Sequence, residues 1–308
     1  MVKVAIAGGS GQLGRTIAEV AVADGSHDAV ILSRKAKSNT ENGIDVVEVD
    51  YSDVESLTAM LQQNNVHTVI CTLSTDGESL AVAQFNLIKA ADASSVTKRF
   101  IPSAFLPPYP PEAAGIPSLQ PHFNCLDELK KTDLEWAVVA NGVFMDYFSP
   151  SLKSYLKPWT IIVDIENKSA AIPGSGNDLV TFTYSFDVAK FVVAALSLDK
   201  WPREMRVIGD TMTWNEVLRL AEEARGTKFD VAYDDVEKLQ RMEITELPGH
   251  RAMYSYVSRE EVQAMAIMEL WMTMGVANIP GEDSLNEMFP SLKPMTMKTL
   301  MDQCWKDK

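Results

Sequence analysis

The stretch Met1–Gly14, MVKVAIAGGSGQLG, decides how the rest of the chain is read. Val2, Val4, Ile6 and Ala7 form a strand-like apolar run. Gly8, Gly11 and Gly14 follow it at intervals of three. A helical pattern begins at once, with Ile17, Val20, Ala21 and Val22 apolar. Each glycine has a physical task in such a strand–turn–helix unit. The first permits a tight turn, the second lets backbone approach a pyrophosphate, and the third lets helix pack on strand. Free N–H groups at the helix start then face the phosphates. The segment Gly8, Ser10, Gly11, Gln12, Leu13 and Gly14 is therefore the expected phosphate cradle of a dinucleotide.

The next strand-like run, Ala29–Ser33, ends in Arg34-Lys35. A ribose 2′-hydroxyl calls for Asp or Glu near this place, whereas a 2′-phosphate calls for a cation. The two cations favour NADP(H), because charge-assisted bonds to phosphate are strong and Arg can make two at once. Lys35 also reads as an ordinary solvated loop lysine.

Bulk numbers narrow the classes. The 308 residues suit one large α/β domain or a main domain with a smaller companion. A 46% hydrophobic share allows a substantial core, and a net charge of -14 argues against a surface built for nucleic acid. Cys71, Cys125 and Cys304 are too few and too scattered for a disulfide framework or a zinc site. They suggest a reducing compartment. No signal peptide pattern and no run of 18 apolar residues is evident, so no metal and no membrane are expected, and the cytoplasm is the default location. A monomer or homodimer acting on a small molecule is expected.

Strand-like runs at Val2–Ala7, Ala29–Ser33, Val46–Asp50, Val66–Leu73, Arg99–Pro102 and Trp136–Ala140 alternate with helical patterns at Arg15–Ala23, Val54–Gln62, Ser79–Ala93 and Cys125–Lys131. This alternation predicts a Rossmann-type, doubly wound parallel sheet over residues 1–150. A smaller α+β substrate-binding region, partly interleaved with that sheet, is expected over residues 151–308. Between Pro102 and Pro121 lie prolines 107, 108, 110, 111 and 117, a stiff loop after the fifth strand. Ligands bind outside the carboxyl ends of such strands, so this loop is a candidate substrate wall. Nine of the fifteen methionines fall between Met253 and Met301, with Met268 near Trp271 at helical spacing. They read as helix core or as an adaptable cover for an apolar substrate.

With these features in place, the chain resembles the NmrA-like and isoflavone-reductase-like branch of atypical short-chain dehydrogenases over nearly its whole length. Asp50-Tyr51 is similar to that family's adenine-side acidic position. Thr72-Leu73-Ser74 is similar to the turn that passes the cofactor ribose, and Lys98-Arg99-Phe100-Ile101-Pro102-Ser103 to the fifth-strand signature. Asn141-Gly142-Val143-Phe144 resembles the loop that lines the nicotinamide. The resemblance implies that these residues, Ser103 included, hold NADP(H). Phe182-Thr183-Tyr184, Asp187-Val188-Ala189 and Thr213-Trp214-Asn215-Glu216 extend the match.

Two departures bear on mechanism. No Tyr stands four residues before a Lys, and Ala104 replaces the family's glutamate. The lysine that isoflavone-reductase relatives use as proton donor falls near His122, where it is absent. His122 is the replacement candidate, since an unperturbed imidazole titrates near working pH. Ser103 could orient a substrate oxygen. Phe105, His122, Phe123, Phe144, Tyr147, Met268 and Trp271 are the expected substrate contacts.

Three functions remain in play. One is an NADPH-dependent reductase of a bulky apolar small molecule, an imine, enone or similar, in specialised metabolism; imine or iminium reduction needs less proton donation than ketone reduction. Another is an NADP(H)-binding cyclase or isomerase working by proximity. A non-catalytic NADP-sensing regulator is the third.

Overall fold

Val4, Ala5, Ile6 and Ala7 lose nearly all contact with solvent, and this makes β1 (Lys3–Ala7) the centre of the main sheet. The computed structural model describes residues 1–35, 40–41, 43–74 and 79–306. The chain divides into two compact units. The first comprises Met1–Phe105, Pro111–Ala140 and Val188–Met205. The second comprises Leu106–Pro110, Asn141–Asp187 and Arg206–Lys308. The sequence predicts a boundary at residue 150 with partial interleaving; in the structure the second unit begins after Ala140 and also takes Leu106–Pro110, and residues 188–205 belong to the first unit.

In the first unit, β1 is followed by α1 (Gln12–Asp24), β2 (Asp28–Ser33), β3 (Thr40–Glu41), β4 (Ile44–Glu48), α2 (Val54–Gln63) and β5 (Thr68–Cys71). Then come α3 (Phe85–Ala93), β6 (Arg99–Ile101), α4 (Gln120–Leu129) and β7 (Glu135–Trp136). The sheet order is β3-β4-β2-β1-β5-β6-β7. Only the edge pair β3–β4 is antiparallel, and Ala7 stands opposite both Leu32 and Cys71. Residues pointing to either face of the central strands, such as Ala5 and Ile6, are fully buried, as a parallel sheet covered by helices requires. Strand order reverses between β1 and β5, which opens a crevice at their carboxyl ends.

Local signals explain several boundaries. The Asp53 side chain accepts from Ser56 N at 2.9 Å and starts α2. Helix α4 begins five residues earlier than the predicted Cys125, because Pro121 lies in its first turn, where its missing N–H costs nothing. His122 is therefore a helical residue and not a loop residue. Arg99 explains the return of residues 188–205. Its guanidinium pairs with Glu135 at 2.6 Å, donates to the carbonyls of Leu196, Leu198 and Asp199, and lies over the Trp201 ring. Such a web satisfies a charge that is otherwise expensive to bury.

The second unit has two three-stranded sheets. One runs β8 (Val143–Phe144), β11 (Leu179–Thr183), β12 (Asp210–Thr213). The other runs β9 (Val163–Asp164), β10 (Ser169–Pro173), β13 (Asp230–Asp234). Thr213 and Glu216 form a reciprocal capping box at the start of helix α5 (Trp214–Arg225). Trp214 packs edge-on to Phe182 at 5.1 Å, and Phe148 meets Phe182 at 5.8 Å. Two later helices matter below, α6 (Val236–Gln240) and α7 (Met265–Thr273).

Candidate functional site

The glycine loop is built as its spacing predicts. Gly8 has φ +81°, a left-handed conformation that L side chains rarely adopt. A methyl group on Gly14 would overlap Gly8 O and Thr72 Oγ1, so the third glycine brings α1 against the strand ends. The backbone N–H and Oγ1 of Thr72 both donate to Ala7 O at 2.8 Å, locking β5 to β1 at that point. Gly11 differs from both. It is exposed, and a Cβ there would meet only Gly8 O at 3.1 Å. Gly11 is also the N-cap of α1 and offers no side-chain acceptor. No side chain caps the first N–H groups of α1, and a helix start of this kind suits an anion. Ser10 Oγ donates to Glu41 Oε2 at 2.5 Å beside this loop.

A cavity of about 670 Å³ lies in the same unit, and Arg34, Asp50, Tyr51, Leu73 and Ser74 line it together. The structure thus brings the predicted adenine-side and ribose-side residues to one place. Lys35 is exposed and outside the lining, and its backbone is engaged with the Ser33 hydroxyl. The Ser52 hydroxyl and N–H both donate to Asp50 Oδ1 and hold that carboxyl below its usual range. The Tyr51 ring is buried and its hydroxyl donates inward to Leu32 O at 3.3 Å, so Tyr51 offers the cavity no phenol. Burial pushes that phenol well above its ordinary pKa.

Sequence reasoning missed one wall. Ser79, Val82 and Ala83 line the cavity from a π-helical turn, Ser79–Gln84, that precedes α3. Apolar periodicity treats residues 79–93 as one helix and gives no sign of the wider turn, a feature frequent at functional sites. Gln84 faces the other way. Its Oε1 accepts from Ser103 N at 2.6 Å, while Ser103 Oγ donates to Leu73 O at 2.7 Å. Ser103 is therefore tied to the residue run that follows β5 and to the π-helical turn before α3.

His122 is 8% exposed and stacks edge-on with Phe123 at 5.2 Å. Desolvation pushes its pKa down to about 4. This corrects the expectation of an imidazole that titrates near neutral pH: burial in apolar surroundings disfavours the cation. His122 is neutral under working conditions. Phe105 is also buried in this unit, at 9% exposure.

The other predicted residues belong to the second unit. Asn141 is fully buried, with Nδ2 donating to Gly142 O at 3.1 Å. Gly142 has φ +69° and packs on the Thr181 backbone, while Val143 and Phe144 pair with Phe182 and Thr183. Tyr147 meets Phe144 edge-on at 6.1 Å. Trp271 meets Tyr109 edge-on at 5.6 Å, and with Met268 and the Pro107-Pro108 pair they surround an apolar crevice of about 10 Å³. That volume holds about one water molecule. In this form the Met–Trp helix face is packed against the proline-rich segment. Among the described residues no cluster of His, Cys, Asp and Glu could hold a metal, and no helix is long and apolar enough to cross a membrane. The three cysteines are free and buried.

Comparison with known proteins agrees with this geometry. Residues 2–276 match the model of the NmrA-like family. The chain is 32% identical over 301 residues to oxidoreductase BOA1 of Botryotinia fuckeliana, covering 96% of each chain. It is 30% identical to oxidoreductase swnN of Metarhizium robertsii, covering 99% of this chain and 98% of that one. A solved structure of AtPrR2 with NADP+ and (+)-pinoresinol superposes with a TM-score of 0.75 at 18% identity, over 98% of both chains. Fold, glycine loop and sequence similarity together place the chain in the NmrA-like family.

Proposed function

We propose that the chain is an NADP(H)-dependent reductase acting on a bulky apolar small molecule. The observation that carries this reading is the 670 Å³ cavity with Arg34 and Asp50 on its wall, in the same unit as the uncapped N-terminus of α1. Gly11 leaves open the space a pyrophosphate would take, and Gly14 has no room for a side chain. The residues present fit a dinucleotide with a 2′-phosphate. Arg34 would pair with that phosphate, α1 N–H groups with the pyrophosphate, and Asp50 with the adenosine side. The bound cofactor supplies the hydride, and the protein supplies orientation and electrostatics. Relatives named as oxidoreductases support the same class of chemistry.

The finer reading is that the substrate is an imine or enone; the candidate contacts in the first unit are Ser103, Phe105 and Phe123, and those in the second are Asn141, Gly142, Val143, Phe144, Tyr147, Met268 and Trp271. A neutral, buried His122 is not an acid at neutral pH, which suits an imine that arrives already protonated as an iminium, or an enone whose carbanion takes its proton from solvent after hydride transfer. The test is incubation with NADPH and a panel of cyclic imines and enones, with product mass as the readout. A gain of two hydrogens supports reduction. An isomer of unchanged mass points instead to a cyclase, and tight NADPH binding without turnover to a sensor.

A further inference from the structure

The second unit contains a cavity that the cofactor reading does not use. It has a volume of about 360 Å³ and is framed by residues between Asp146 and Glu166 together with Trp305. Its walls have a definite chemistry. Tyr147, Phe148, Trp159 and Trp305 supply aromatic surface, and the lining carries three carboxyl groups, Asp146, Asp164 and Glu166, with no Lys, Arg or His; burial raises the pKa of the Asp146 carboxyl, as the absence of a countercharge would. Nearby lysines are turned elsewhere, Lys153 Nζ over the Phe186 ring and Lys157 Nζ over the Tyr256 ring.

Asp146 is the decisive residue. It is 7% exposed, and its oxygens accept from Ser154 Oγ at 2.6 Å, Ser185 Oγ at 2.6 Å and Ser185 N at 2.9 Å. Asp164 is equally buried and accepts only from Asn167 and the Gly249 amide. None of the ion pairs among the described residues includes Asp146, Asp164 or Glu166. A buried carboxylate without a countercharge is costly, and neutral hydrogen bonds offset that only in part. The three acids do not converge as metal ligands. They are spread over an aromatic-walled space, which suits a diffuse charge on an apolar body.

We infer that this cavity binds a small organic cation, such as a protonated cyclic amine, an iminium or a quaternary ammonium. The cation would lie against the faces of Trp159 and Tyr147, where ring quadrupoles attract positive charge, and would answer the charge of Asp146 and Asp164. The volume falls in the range of small-molecule sites. The site is built entirely from second-unit residues; it shares Tyr147 with the substrate contacts proposed above and needs no bound cofactor.

Calorimetric titration of the full chain tests it, with N,N-dimethylpiperidinium as the cation, cyclohexylmethanol as a neutral body of similar size, and cyclohexanecarboxylate as the anion. Saturable binding of the cation is expected, at least about tenfold tighter than of the other two. Trp159→Leu and Asp146→Asn should each weaken cation binding by about tenfold or more. Should Asp146→Asn fail to fold, Trp159→Leu and Glu166→Gln carry the test, because both sites are at least partly exposed. Equal binding of cation and neutral probe, cation binding unchanged in the variants, or no binding of the cation would each overturn the inference. Failure of NADPH to bind would leave it untouched and count only against the reductase reading.

Discussion

Glu269 gives the sharpest test of the packing described for the second unit. It lies on α7, the helix that carries Met268 and Trp271, and is 4% exposed. Its Oε2 is buried with no hydrogen-bond partner. Asp234 and Lys238 are the charged groups that act on it, and they pair with each other at 2.7 Å. Burial, reinforced by Asp234, pushes the Glu269 pKa from 4.5 up to about 8. Between those values the folded protein binds more protons than the unfolded chain. Stability from this group is therefore full below pH 4.5, falls as pH rises, and levels off above about 8. At about 1.4 kcal/mol per pH unit, roughly 2.5 units from the unfolded pKa to pH 7 give a penalty of about 3 kcal/mol. Glu269→Gln removes the ionisation but leaves an amide in the same place, which costs about 1–3 kcal/mol if its N–H groups find no partner. The absolute gain at pH 7 is thus small, and the pH slope is the informative quantity. Urea unfolding at pH 5, 6, 7 and 8 should show stability falling by about 3 kcal/mol more in the parent chain than in the variant. Parallel pH profiles for the two chains would refute the reasoning.

Other substitutions probe the cofactor cleft. Gly11→Val should leave a folded protein that no longer binds NADPH, because the exposed added side chain, in contact only with Gly8 O, would occupy space a pyrophosphate needs; retained nicotinamide fluorescence on titration would show that the loop is not the site. Gly14→Ala should instead destabilise the first unit, since its methyl meets Gly8 O and Thr72 Oγ1, and a melting temperature equal to the parent's would contradict that packing. Arg34→Ala should weaken NADPH binding by roughly 1.5 kcal/mol, about tenfold, while NADH binding is unchanged. His122 is held neutral, so the unfolded chain binds more protons than the folded one between pH 6.5 and about 4, and the parent loses stability as pH falls through that window. His122→Phe should lose less, and an NMR titration placing His122 near 6.5 would overturn the assignment.

The parts of this protein that were legible in sequence are those encoded within a few residues. Gly8 and Gly14 could be given their tasks because turn conformation and helix–strand approach are local demands. Asp53 and Thr213 were readable as helix starts for the same reason, a short polar side chain returning to its own first turn. Arg34 was readable as a cavity residue because it directly follows β2. What escaped depends on distant partners. Nothing around residue 196 signals that its carbonyl accepts a hydrogen bond from Arg99. The π-helical turn at Ser79–Gln84 shares its apolar pattern with an α-helix. His122 read as a candidate proton donor from its place in the family pattern, and nothing local signals that it lies buried in α4. Asp146 follows Phe144-Met145 in an otherwise apolar run, and only the fold shows that its partners are Ser154 and Ser185.

The claim that this cleft is built for a 2′-phosphorylated dinucleotide is tested most directly by titrating the full chain with NADPH and, separately, NADH, following the fluorescence of the bound nicotinamide. Saturable NADPH binding at least about tenfold tighter than NADH is predicted, because Arg34 adds one charge-assisted contact to the phosphate that NADH lacks. Equal affinities for the two, or no saturable binding of NADPH, would contradict the account.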